Sequence, residues 1–135
     1  MPHLVLLYTP NLEDRTDLSA LCRSLADTLL AQRDAHGQPV FPTAGARVLA
    51  YPAAHCAVAD GQADYAFLYL NLRMAAGRSA AVQQATGDAL LAAVRAHLAP
   101  LWPQQLLGCT LQIDESPGQV YDGKLGNLHP LFQPR

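Results

Sequence analysis

The chain has 135 residues, 50% of them hydrophobic and 15% charged, and a formal net charge of -2. That is enough for one domain with a substantial core, and it lacks the basic excess that nucleic-acid binding requires. No apolar run approaches the ~20 residues of a membrane span, and the start has neither the basic region nor the full apolar core of a signal peptide, so a soluble, cytoplasmic protein is expected. The three cysteines, Cys22, Cys56 and Cys109, are an odd count at wide spacings, which suits neither a disulfide framework nor a metal motif. Cys56, beside His55, is the one best placed to react, but no third orienting residue accompanies it.

The chain opens on an apolar β-type run, Pro2-His3-Leu4-Val5-Leu6-Leu7-Tyr8, stopped by Thr9-Pro10-Asn11. If Met1 is trimmed, Pro2 becomes a free secondary amine at the edge of a core. An α-amino group titrates near pH ~8, and apolar surroundings or nearby cations lower that value. A neutral amine at pH 7 is a usable general base. On the dipeptide alone, an ordinary strand start is the simpler reading. Strand alternation sends His3 to the face opposite Pro2.

Leu18, Leu21, Cys22, Leu25 and Leu29 fall on one face of a helix from about 16 to 33, with Asp17 at its positive end and His36-Gly37-Gln38-Pro39 closing it. A second strand is expected over 46–51, and this strand, helix, strand order implies a right-handed parallel crossover. After a loop, 65–74 is the clearest strand in the chain. Ser79 is a good N-cap for a second helix, whose apolar face is Val82, Ala85, Ala89, Leu90, Ala93, Val94, Leu98 and Leu101, until Pro100 and Pro103 stop it. A fourth strand is expected over 106–113. Residues 115–135 read as an extended arm, whose apolar Leu125, Leu128, Leu131 and Phe132 imply that it docks on something.

The layout is an α+β fold of two tandem β-α-β units, 2–52 and 64–114, forming a four-stranded sheet with two helices on one face. In the third strand Ala66, Leu68, Leu70, Leu72 and Met74 can face the helices, which leaves Tyr65, Phe67 and Tyr69 on the uncovered side. A large apolar patch there marks an interface, and closed cyclic symmetry is the usual way to bury it. His36 and His55 lack metal-ligand spacing, and His97 reads as a packing residue.

The run Asp60-Gly61-Gln62-Ala63-Asp64-Tyr65-Ala66-Phe67, followed by Ala76-Gly77-Arg78-Ser79, together with Met1-Pro2-His3 and Asn127-Leu128-His129, resembles the 5-carboxymethyl-2-hydroxymuconate isomerases of the tautomerase superfamily. The resemblance implies a tautomerase-type fold, a homotrimer and a cofactor-independent isomerase acting on a small polycarboxylate in aromatic-compound catabolism, the homoprotocatechuate pathway. It makes Pro2 the catalytic base and carries Arg47 and Arg78 over by position as catalytic and substrate-binding residues; no metal, nucleic acid or membrane is implied. Apart from the resemblance, Arg73 and Lys124 are secondary candidates for binding an additional carboxylate. A guanidinium matches a carboxylate in a bidentate fork, and Arg78 adds its charge to a helix N-terminus. The segment 31–40 is longer than this family leads one to expect, and Pro117, Gly118 and Gly123 make the tail divergent. The alternative is a non-catalytic, ferredoxin-like ligand-binding or assembly module, which would need no depressed amino-terminal pKa.

Overall fold

The computed structural model describes residues 2–133. The expected removal of Met1, and the last two residues of the arm, lie outside the described residues. The elements are β1 (His3–Tyr8), α1 (Leu18–Leu30), β2 (Arg47–Pro52), β3 (Tyr65–Ala75), α2 (Ala80–Leu98) and β4 (Leu106–Ser116). They form one sheet of order β2-β1-β3-β4, in which β1 pairs in parallel with β2, β3 in parallel with β4, and β1 antiparallel with β3. The expected α+β arrangement, a four-stranded mixed sheet with two helices, is the one observed.

Both helices cover the same face. Leu21, Leu25 and Leu29 of α1 and Leu90, Val94 and Leu98 of α2 share one buried cluster with Leu4 and Leu6 of β1 and Leu68, Leu70 and Leu72 of β3. The period of two in β3 decides this, because every second residue from Ala66 to Met74 is buried. Leu70 lies on a central strand with no exposed surface. Leu70→Ala is expected to cost about 2–5 kcal/mol of stability, to be read from the urea midpoint; a loss below 1 kcal/mol would contradict this packing.

Three local details depart from expectation. Helix α1 stops at Leu30, short of Arg33, because the following residues bond among themselves. Arg33 donates to the carbonyls of Leu30 (2.8 Å) and Gln32 (3.0 Å) and bridges to Pro39, while the Asp34 carboxylate accepts from the backbone of His36 and Gln38. In α2, capped by Ser79 as expected (3.2 Å to the Val82 N–H), Ala85 is exposed and Thr86 takes the buried position. Its hydroxyl donates to the Val82 carbonyl at 2.8 Å, so the side chain meets the core as a methyl group. Strand β4 runs on to Ser116, paired with Ala75.

The end of the sheet at Tyr8 is tied by polar groups. Asp64 accepts from Asn11 (3.0 Å) and pairs with Arg15 (2.6 Å), and Arg15 also donates to Gln105, whose own amide reaches the Asp64 carbonyl (2.7 Å). The Asn11 amide and the Arg15 guanidinium hold the Asp64 carboxyl below the usual carboxylate range. A folded-state pKa depressed in this way contributes stability that is present above the unfolded value of ~3.9 and is lost as pH falls through the folded value. Asp64→Asn is therefore expected to lower Tm at pH 7, with the gap to the parent closing below pH ~4; an unchanging gap would assign the effect to something other than this charge.

Candidate active site

Pro2 continues the inward alternation of Leu4 and Leu6 and is buried. It immediately precedes His3, which pairs with Arg73 at the end of the β1–β3 ladder; Met74, next to Arg73, is buried on the helix side. The 3₁₀ turn Thr43–Gly45 closes over Pro2 from the β2 side. A Cβ on Gly45 would come to 3.0 Å from Pro42 Cγ and 3.7 Å from Pro2 Cδ, so the absence of a side chain lets the turn approach the proline ring.

The same segment carries or holds both expected arginines. Arg47 opens β2 two residues after the turn, in register with His3. Arg78, half-buried between β3 and α2, donates to the carbonyls of Ala75 (3.0 Å) and Val40 (3.2 Å), and its guanidinium lies 4.9 Å from the centroid of the Phe41 ring. Those two bonds use two of its five N–H donors, leaving the rest for an acceptor such as a carboxylate. Its turn needs Gly77, with φ of 111°. Pro2, Arg47 and Arg78 are thus gathered at one end of the sheet by residues 40–47.

The other two expected contacts are placed differently. Arg73 lies on the uncovered face of β3 opposite His3, and its guanidinium donates to Ser116 Oγ at 3.3 Å. Lys124 lies out on the arm, with its ammonium on Asp122 at 2.7 Å. His3 occupies the uncovered face between the register positions of Arg47 and Arg73; burial, and then the charges of Arg47 and Arg73, hold its imidazole below its ordinary value. Two hollows flank this end of β1. One, of about 490 Å³, is bounded by His3, Arg73, Ser116, Gly118 and Gln119; the other, of about 560 Å³, lies between α1 and β2 beside Arg47 and is bounded by Leu128 and Phe132 of the arm.

The arm was expected to dock, and its distal part does so on its own subunit, where its 3₁₀ turn His129–Phe132 meets the turn Thr43–Gly45. Its middle stands away, with Val120, Tyr121 and Leu125 almost fully exposed. Burial raises the thiols of Cys22 and Cys109, whereas Cys56 is exposed. Among the described residues no group of three or more His, Cys, Asp or Glu stands where it could hold a metal, and no helix is long and apolar enough to cross a membrane.

A model of the 5-carboxymethyl-2-hydroxymuconate isomerase family matches residues 2–132. The chain belongs to that family. It is similar to the 5-carboxymethyl-2-hydroxymuconate Delta-isomerase of Escherichia coli, with 32% identity over 133 residues, 98% of this chain and the whole of that one. A crystal structure of a 5-carboxymethyl-2-hydroxymuconate delta-isomerase superposes with a TM-score of 0.95 at 53% identity, covering 100% of this chain and 95% of the other. One from Deinococcus radiodurans R1 gives 0.85 at 35% identity, covering 98% and 95%. A fused 4-OT symmetric trimer, at 14% identity and a TM-score of 0.51 over 89% of this chain and 93% of the other, shares the fold.

Within this isomerase family member, the sequence reading passed over two features of the site. The Val40 carbonyl and Phe41 ring that seat Arg78 lie 38 and 37 residues upstream of it, with no local signal linking them. Ser116 was placed within the arm, 115–135; the Ser116-Pro117-Gly118 run, a turn directly after a strand, was the signal available.

Proposed function

We propose that the protein is a cofactor-independent isomerase that converts a 2-hydroxymuconate-type dienol, in the first place 5-carboxymethyl-2-hydroxymuconate, into its conjugated 2-oxo isomer. The observation that carries this reading is the buried Pro2 under the Gly45 turn, with Arg47 and Arg78 brought to the same end of the sheet by residues 40–47. Such an end is suited to proton transfer. The Pro2 amine, freed by removal of Met1 and neutral at pH 7, takes the proton of the 2-hydroxyl group, and the electron pair moves along the conjugated chain. The prolinium then returns the proton to a carbon further along. Arg47 and Arg78 hold carboxylates and favour the negative charge that spreads onto the oxygen in between. By family likeness, the reaction takes place in the cytoplasm and serves aromatic-compound catabolism of the homoprotocatechuate type. Loss of dienol absorbance on adding the protein tests the reading; no acceleration by a protein shown to begin at Pro2 would leave the non-catalytic module.

The active assembly is proposed to be a homotrimer. The face of the sheet turned away from the helices exposes Leu7, Leu49, Tyr51 and Leu106 by about half or more of their surface, beside half-buried Val5, Tyr65, Phe67 and Tyr69. An apolar surface of this kind calls for a partner, and cyclic closure buries it on every copy. Sedimentation equilibrium at micromolar concentration is expected to give three times the chain mass. A stable monomer would contradict it.

A further inference from the structure

The excursion between α1 and β2 closes on itself and then takes hold of Arg78. Asp34 does the closing: its carboxylate accepts the backbone N–H groups of His36 (2.8 Å) and Gln38 (3.0 Å), its own N–H donates to the Gln38 carbonyl (2.9 Å), and Arg33 bridges to Pro39. Gly37, with φ of 75°, supplies the left-handed residue of this turn. The Val40 N–H then donates to the Gln32 carbonyl (3.1 Å), so Val40 is anchored just past the end of α1 before its own carbonyl accepts from Arg78. Phe41, 2% exposed, is fixed in the core that the two helices and the sheet share.

A guanidinium on a long stem ordinarily turns about its bonds, and ordering it when a ligand arrives costs side-chain entropy. In Arg78 one terminal nitrogen is on the Ala75 carbonyl, the other is on the Val40 carbonyl, and the Phe41 ring lies 4.9 Å from the central carbon. Two bonds in its plane arrest the rotation of the group, and the ring sets its face. Two of these three holds come from the excursion. We infer that residues 33–41 are a positioning element for Arg78: Asp34 closes the hairpin, and Val40 and Phe41 orient the guanidinium before any substrate arrives. Asp34 and Phe41 are thus positioning residues that act through Arg78. The inference rests on the isomerase reading for the reaction it serves, but not for the fixed guanidinium. It gives the long 31–40 segment a task in this chain.

Nitrogen-15 NMR of the Arg78 guanidinium, assigned by its loss in Arg78→Ala, tests this without turnover. The parent protein is expected to give separate signals for the two terminal nitrogens, the mark of arrested rotation. Asp34→Ala and Phe41→Leu should merge them, and Asp34→Asn, whose side-chain oxygen can accept the same two N–H groups, should keep them apart. In kinetics on 5-carboxymethyl-2-hydroxymuconate, Phe41→Leu should raise KM by roughly two- to thirtyfold at near-parent kcat, the worth of one cation–π contact, and Asp34→Ala should raise it by less. In the Arg78→Ala background neither substitution should raise KM further, whereas a residue acting independently of Arg78 would have the same effect in both backgrounds. Merged signals in the parent, signals that stay separate in either variant, or a KM effect that persists undiminished without Arg78 overturns the inference. Asp34 lies outside the core, so its variant decides the matter even where Phe41→Leu fails to fold. Separate signals that merge in the variants, in a protein that turns over no dienol, keep the positioning element and lose the isomerase reading.

Discussion

Protein that retains Met1 is expected to isomerise hydroxymuconate dienols at least ~100-fold more slowly than protein that begins at Pro2, the lower end of what a positioned general base contributes. The reason is covalent. With Met1 attached, the proline nitrogen is a tertiary amide and has no basic lone pair; with Met1 gone it is a secondary amine in a buried position. Burial disfavours the charged form of an amine, and cations nearby do the same, so its pKa should lie below the free α-amino value of ~7.7–8.0. Intact mass identifies which form is present, and the nitrogen-15 shift of Pro2 through a pH series reads the titration. Equal turnover by both forms, or an amine that titrates at or above the free value, would remove Pro2 as the base.

Arg47 and Arg78 are expected to fail in different ways when replaced by alanine. If Arg47 meets the oxygen where charge develops, Arg47→Ala should depress kcat; if Arg78 holds a remote carboxylate, Arg78→Ala should act mainly through KM. Each loss of a charge-assisted contact is worth about 1.5–3 kcal/mol, or roughly tenfold to a hundredfold in kcat/KM. Arg78 carries a second consequence. Its guanidinium satisfies the carbonyls of Val40 and Ala75 and stacks on Phe41, so its removal should also destabilise the segment that covers Pro2. Arg78→Ala should therefore lower Tm as well as raise KM, and Arg78→Lys should recover charge without the planar fork. Parent-like turnover in both alanine variants would mean that the catalytic centre lies elsewhere.

Much of the fold was legible because it rests on short-range periodicity. Alternation from Tyr65 to Met74, the stripe Leu21, Leu25, Leu29, and the cap at Ser79 each involve residues within a turn or two of one another. The misreadings arose where a local pattern competes with a bond the pattern cannot express. Thr86 looked polar until its hydroxyl was satisfied four residues back, and α1 looked longer because Arg33 is helix-compatible but bonds instead to the carbonyl of the helix's last residue, Leu30. The positions of Pro2, Arg47 and Arg78 along the chain were recognisable from their neighbours in sequence. How they are held together was not.

What the sequence determined by itself is therefore the set of elements, the two-sided character of β3, and membership of a family whose motifs are contiguous runs such as 60–67 and 76–79. What only the tertiary structure decided is which groups share the end of the sheet. Arg78 reaches a carbonyl 38 residues away, Arg73 a hydroxyl 43 residues away, and Gly45 a proline at the other end of the first unit. Strand register and the closing turn create these neighbourhoods, and register is set jointly by all four strands. A one-residue slip of β1 would exchange Pro2 and His3 between the covered and uncovered faces while leaving every local signal in the sequence unchanged.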